Sequence, residues 1–90
     1  MAVRRPADPV KAAERASTLS DAVLLDLLAE LADEIDASKS RQDALWRARR
    51  IVYHETRRRD PQPILATIAA AARVSEVSVI TALQKPDPLG

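Results

Sequence analysis

Apolar residues recur along this chain with the spacing of amphipathic helices, in four segments. The two long segments cover residues 19–37 and 41–59, and each keeps its apolar residues within one stripe. Two shorter segments, 63–72 and 76–84, follow a proline-containing break. The apolar positions of the long segments are Leu24, Leu27, Leu28, Leu31 and Ile35, then Ala44, Leu45, Ala48, Ile51 and Val52. This pattern predicts an all-α fold.

Capping and breaking residues set the limits of these helices. Thr18 or Ser20 can cap the first, and a short polar break at residues 37–40 separates it from the second. So short a break predicts that the two long helices fold back as an antiparallel hairpin. Pro61 and Pro63 end the second helix and begin the third, and Pro86 stops the fourth.

These limits divide the chain into four parts. Residues 1–17 are expected to form a flexible, partly helical N-terminal arm. Residues 18–60 are expected to form a helical hairpin suited to dimerisation, and residues 61–85 a pair of short helices. Residues 86–90 are expected to form a disordered tail.

Composition supports the helical prediction and excludes several classes of protein. Strands are enriched in aromatic residues and tight hairpin turns favour glycine, but the chain has one glycine and an aromatic content of 2%. Because the chain has no cysteine, disulfides and cysteine-based metal sites are excluded. No apolar run approaches the ~20 residues that cross a bilayer. We therefore expect a cytoplasmic protein that makes no membrane contact.

Charge is distributed unevenly, although the formal net charge is only +1. From residue 20 to 37 there are six acids and no base, whereas residues 38–59 hold eight bases and two acids. The hairpin should therefore have an acidic and a basic helix. Three of the bases, Arg57, Arg58 and Arg59, directly precede the short helices and are candidates for phosphate contacts; the alternative is a solvated helix end.

The two short helices have the spacing of a helix-turn-helix. Small and apolar residues stand at the positions where such helices cross, and Ser75 stands at the helix N-cap between them. Those positions are Ile68, Ala69, Ala72, Val74, Val79 and Leu83. The second helix of such a motif can enter the major groove of DNA.

These residues resemble the helix-turn-helix of the large bacterial repressor families, which commonly read Ile-Ala-x-x-Ala-Gly-Val-Ser-x-x-Thr-Val-Ser-x-x-Leu. The resemblance covers about twenty residues. The chain as a whole is similar to small actinobacterial, plasmid and phage regulators, in which an acidic–basic helical hairpin precedes such a motif. The resemblance implies double-stranded DNA binding as a homodimeric transcriptional regulator, a repressor by expectation, with Ser75 near a phosphate.

The candidate DNA contacts follow from the arginine run and from this motif. They are Arg57, Arg58, Arg59, Arg73, Ser75, Glu76, Val77, Ser78, Thr81 and Lys85. The sequence departs from the repressor pattern in two ways. Arg73 occupies the place of the turn glycine, where φ is usually positive and a side chain costs roughly 1 kcal/mol. The second helix also offers no Arg, Asn or Gln, the types that most often read bases.

Two aromatic residues, Trp46 and Tyr53, lie off the apolar stripe of the second helix and among its arginines. One interpretation packs them against another helix or subunit. The other places them on an exposed aromatic–arginine face that stacks on nucleic acid.

We expect neither an enzyme nor a cofactor-binding protein. His54 is the single histidine, and the sequence has no glycine-rich phosphate loop, no metal-ligand cluster and no nucleophile–base spacing. No small-molecule ligand is expected. The alternative to DNA binding is a helical interaction module whose partner is a protein, such as a sigma factor, a polymerase subunit or a toxin.

Overall fold

The computed structural model describes residues 8–89, which form α-helices, two 3-10 turns and connecting loops, with no strand in that range. The helices are α1 (Pro9–Glu14), α2 (Asp21–Ala37), α3 (Gln42–Arg57), α4 (Leu65–Ala72) and α5 (Glu76–Leu83). The 3-10 turns are Ala16–Thr18 and Lys39–Arg41. The predicted all-α fold is confirmed, and each predicted helix boundary lies within two residues of the observed one.

Helix α1 is part of the packed structure. The Asp8 carboxylate caps it by accepting the Val10 N–H at 3.0 Å, and Pro9 takes the first helical position. Its Ala13, and Ala16 in the following turn, are buried against α3 and its neighbours. Residues 8–17 thus have helical structure and packed contacts, in the segment for which the sequence predicts a flexible, partly helical arm. The rest of that predicted arm, with Arg4 and Arg5, lies outside the described residues.

Helices α2 and α3 form the core of the fold. The Ser20 hydroxyl caps α2 at the Val23 N–H, and the leucine stripe of α2 is buried: Leu24, Leu28 and Leu31 have no exposed surface. The Gln42 side chain donates to the Ile35 carbonyl at 3.2 Å, so the break between the helices is bridged by a hydrogen bond. The leucines of this stripe are therefore buried within the chain itself and are not exposed to a partner.

Helices α4 and α5 are joined by three residues, and the chain bends by 100° between them. Arg73 follows α4 in the left-handed conformation, with φ 59° and ψ 41°, which redirects the chain. The Ser75 hydroxyl then caps α5 by accepting the Ser78 N–H at 3.2 Å. Ala69 and Ala72 are buried, as is Val79, so the two helices approach closely. Helix α4 packs on α2, and α5 packs on α4 and α3.

The segment after α5 is tied to α3. His54 donates its Nε2–H to the Lys85 carbonyl at 2.9 Å, and Arg58 forms an ion pair with Asp87. Burial alone would raise the pKa of the Asp87 carboxyl, but the Leu89 N–H and the Arg58 guanidinium outweigh it and lower that pKa. Residues 86–89 thus have specific contacts where the sequence predicts a disordered tail.

No single helix in residues 8–89 is long and apolar enough to cross a membrane. Helices α4 and α5 reach the required length and composition only when they are taken together, across their 100° bend.

Candidate nucleic-acid interface

Helices α3 and α5 border an open groove of about 590 Å³. Helix α3 contributes a row of residues spaced three or four apart, and α5 contributes its solvent-facing side. The lining residues are Asp43, Trp46, Arg47, Arg49 and Arg50 from α3, Val77, Ser78, Thr81 and Ala82 from α5, and Lys85 just beyond α5. The groove therefore brings four of the predicted site residues beside a basic face that lies earlier in the chain.

The groove is strongly basic. It is lined by four cations, Arg47, Arg49, Arg50 and Lys85, and by the single acid Asp43. Arg47 is engaged by Glu14 at 3.2 Å in an exposed ion pair. Within residues 8–89, neither Arg49 nor Arg50 forms an ion pair with a carboxylate. Their charge is consequently not neutralised by the fold.

The two unpaired arginines are partly enclosed by the surrounding protein. The Nε atoms of Arg49 and Arg50 are buried and have no hydrogen-bond partner in the described part of the chain. The guanidinium carbon of Arg49 lies 5.8 Å from the centre of the Tyr53 ring. Burial raises the pKa of the Tyr53 hydroxyl, and the charge of Arg49 opposes this rise. The two cations thus lie on the part of α3 that lines the groove.

A second hollow of about 180 Å³ lies between α2, α3 and the turn that joins α4 to α5. Arg49 and Arg73 line this hollow together with the acid Asp36. Arg73 is exposed and forms an ion pair with the exposed Asp33 of α2. Such exposed pairs contribute on the order of 0–1 kcal/mol and are easily exchanged for another anion.

The run Arg57, Arg58 and Arg59 does not act as one basic patch. Arg57 is exposed, but Arg58 is paired with Asp87 and Glu55. Arg59 is only 19% exposed and donates to the Glu55 carboxylate at 3.0 Å. It also donates to Asp21 at 3.3 Å and to the Ala16 carbonyl at 2.9 Å. Arg59 is therefore less available for a phosphate than the sequence suggests, because its donors connect α3 with α2 and with the 3-10 turn after α1.

The predicted contact residues of α5 are exposed, and they differ in whether their side chains already form hydrogen bonds. Ser75 is committed to the cap, and its oxygen lies 3.0 Å from the Ser78 hydroxyl. Glu76 is exposed in the first turn but does not line the groove. Val77 is 70% exposed, and Thr81 is exposed one turn further on.

Six groove residues are not among the candidate contacts: Asp43, Trp46, Arg47, Arg49, Arg50 and Ala82. The structure separates the two aromatics: Tyr53 is buried at 1% exposure, while Trp46 is 45% exposed beside the arginines. The excess of bases in residues 38–59 was the available signal. It could not show that the middle of α3, and not its end, lies next to α5.

No cluster of three His, Cys, Asp or Glu side chains suited to a metal ion occurs in the part of the chain that the structure describes.

No protein family, no curated protein and no solved structure matches this chain. Functional conclusions therefore depend on the geometry of the groove and on its chemistry.

Proposed function

We propose that this protein binds double-stranded DNA, with α5 in the major groove and the arginines of α3 at the adjacent phosphates. It acts in this proposal as a small bacterial transcriptional regulator, most simply a repressor. The observation that carries the proposal is the basic groove in which the exposed side of α5 meets Arg49 and Arg50.

The arrangement of α4 and α5 supports this proposal. DNA-binding helix-turn-helix motifs join two helices at about 90–120° through a turn of three or four residues. Here three residues connect the helices, and the bend is 100°. An α-helix with its side chains is about 10–12 Å across, which matches the major-groove width of about 12 Å, so α5 can enter that groove.

The electrostatics of the groove support it as well. Affinity for duplex DNA comes largely from Lys and Arg at phosphates, which release bound counterions. Arg49 and Arg50 are suited to this role because they have no carboxylate partner among residues 8–89. Arg73 would join them by exchanging Asp33 for a phosphate, and the Trp46 indole N–H is a further donor at the same edge.

A two-fold dimer belongs to the same proposal, because helix-turn-helix proteins commonly bind two half-sites one helical turn apart. The buried leucines of α2 exclude the leucine stripe as the dimer surface.

Selection of duplexes from a random pool by the purified protein tests the proposal. The winner is then titrated at two salt concentrations. A palindromic winner whose affinity falls steeply with salt is the expected result. Weak binding without sequence enrichment would reject the proposal.

One observation favours a second candidate, a module that binds a protein partner. Ile80 of α5 is 45% exposed and lines a hollow of about 180 Å³ together with Leu65, Ile68 and Leu83. Exposed apolar residues close together are typical of protein contacts. Binding of this kind would persist at moderate salt, whereas duplex binding would not. The same salt titration therefore separates the two candidates.

A further inference from the structure

Methyl groups dominate the side of α5 that lines the groove. Val77 is 70% exposed, and Thr81 is exposed four residues later, on the same side of the helix. Ala82 adds another methyl group to the lining. The Ser78 hydroxyl, in contrast, lies 3.0 Å from the Ser75 hydroxyl, so it has a partner within the turn. The surface that this helix offers is therefore largely apolar.

The usual hydrogen-bonding readers of bases are absent from this surface. Arg, Asn and Gln do not occur between Glu76 and Leu83, a range that the structure describes in full. Glu76, which can accept a hydrogen bond from cytosine, does not line the groove. Sequence recognition by this side of α5 would have to come mainly from apolar contact.

The major groove carries one apolar group that a protein can read, the methyl group on C5 of thymine. 5-Methylcytosine carries the same group at the same ring position. Arg49 and Arg50 flank Val77 and Thr81 in the groove, so phosphates bound by the arginines would place base edges near these two side chains. The charge around the methyl surface thus favours nucleic acid as its occupant.

We infer that α5 recognises the C5-methyl groups of pyrimidines in the major groove, through the Val77 side chain and the methyl group of Thr81. This inference rests on the proposed function, because α5 must enter the groove for the contact to form. The recognition is burial of methyl against methyl, and it is the same whether thymine or 5-methylcytosine supplies the group.

Replacement of single thymines by deoxyuridine tests the inference. In the selected duplex, each thymine of the protected region is changed in turn, which removes one methyl group and leaves base pairing and phosphates intact. Binding should weaken about three- to five-fold at each contacted thymine and stay unchanged elsewhere.

A second set of duplexes distinguishes the two sources of the methyl group. The contacted T·A pair is replaced by C·G, with and without a methyl group on cytosine C5. A gain on methylation similar to the loss at deoxyuridine supports recognition of the group on either base. A deoxyuridine effect without that gain supports the inference for thymine alone.

Variants of the protein assign the effect to side chains. Val77→Ala should abolish the difference between thymine and deoxyuridine at one position. Thr81→Ser loses the methyl group and keeps the hydroxyl, so it should abolish the difference at another, whereas Thr81→Val should preserve it. Val23→Ala is the matched control, because Val23 is 45% exposed on α2 and lies outside the groove. Circular dichroism and thermal melting establish that every variant folds.

The possible failures are distinguishable. Equal affinity for thymine and deoxyuridine at every position, in a duplex that is bound in a sequence- and salt-dependent way, would overturn this inference and leave the proposed function intact. Failure to bind any duplex would overturn both.

Discussion

At the scale of single residues, Arg73 combines a backbone cost with an accessible charge. Its φ of 59° is the only positive value at a non-glycine residue in the described range. The left-handed conformation costs a residue with a Cβ about 1 kcal/mol, and glycine avoids that cost. The arginine side chain meanwhile lines the same hollow as Arg49. An arginine in this turn thus lowers stability slightly and places a cation at the edge of the groove.

Substitution of Arg73 separates these two effects. Arg73→Gly should be more stable than Arg73→Ala by about 1 kcal/mol, because only glycine removes the backbone cost. Both variants lose the charge and should bind duplex DNA more weakly than the parent by a similar factor. Urea unfolding measures the first difference and a duplex titration the second. Equal stabilities of the two variants would show that the turn relaxes to another shape.

Arg59 is expected to act on stability and not on DNA. Its removal leaves Glu55, a buried residue, with only the 3.4 Å contact to Arg58, and it also removes the contacts to Asp21 and Ala16. Arg59→Ala should therefore lower the free energy of unfolding by about 1–3 kcal/mol.

Arg57→Ala is the matched control, because Arg57 is exposed at the end of α3, two residues before Arg59, and its removal should change stability little. Chemical denaturation of both variants measures the difference. Similar losses from both would contradict the assignment of Arg59 as the residue that ties the helices together.

The sequence predicts some of these residue properties and not others. Comparison with the repressor pattern identifies Arg73 as standing in a position that usually needs positive φ. It cannot assign Arg59, whose partners Asp21 and Ala16 lie 38 and 43 residues away. Such pairings depend on how the helices pack, and the order of residues alone does not determine them.

At the scale of helices, α1 is the element that the sequence describes least well. It has only six residues, and its buried contacts come from alanines and a proline, which give a weak periodic signal. Its position is fixed by Asp8, which caps the helix and accepts from Arg41 at 2.8 Å. Packing against α3 then orders a segment whose composition suggests flexibility.

The attachment of α1 should depend on pH. The Arg41 guanidinium and the Val10 N–H lower the pKa of Asp8 below its ordinary value of 3.8. Because the pKa in the folded protein is below that of the unfolded chain, this contribution is complete above 3.8 and is lost as pH falls through the lowered pKa.

Asp8→Asn isolates this contribution. The parent should be more stable than the variant at neutral pH, and the difference should shrink well below pH 3.8, as measured by the free energy of unfolding in urea. A difference that is independent of pH would show that the Asp8 charge does not hold α1.

The two long helices illustrate what periodicity can and cannot provide. Four of the five predicted apolar positions of α3, Leu45, Ala48, Ile51 and Val52, are buried, whereas Ala44 is exposed and Tyr53, predicted to lie off the stripe, is buried. The same pattern does not predict which helix packs against the other faces of α3. The contact between the middle of α3 and α5, which forms the candidate interface, therefore emerges only from the three-dimensional arrangement.

At the scale of the whole molecule, most acids and most bases lie on different helices, and the arginines of the groove come earlier in the sequence than the motif that suggests DNA binding. Helix α2 carries acids without a base, and α3 carries the unpaired Arg49 and Arg50. A net charge of +1 thus conceals a local surface that can attract a polyanion. The all-α fold follows from sequence, whereas the location of this surface depends on how α5 packs on α3.

The most direct test of this account is the salt dependence of duplex binding by the double variant Arg49→Gln, Arg50→Gln. We predict weaker binding of all duplexes alike, and a slope of log affinity against log salt that is shallower than the parent's by about two units, because each arginine releases about one counterion. Arg15→Gln, at an exposed position after α1 and outside the groove, should keep the parent's slope. An unchanged slope in the double variant, in a protein that still binds DNA, would contradict the placement of the interface on α3 and α5.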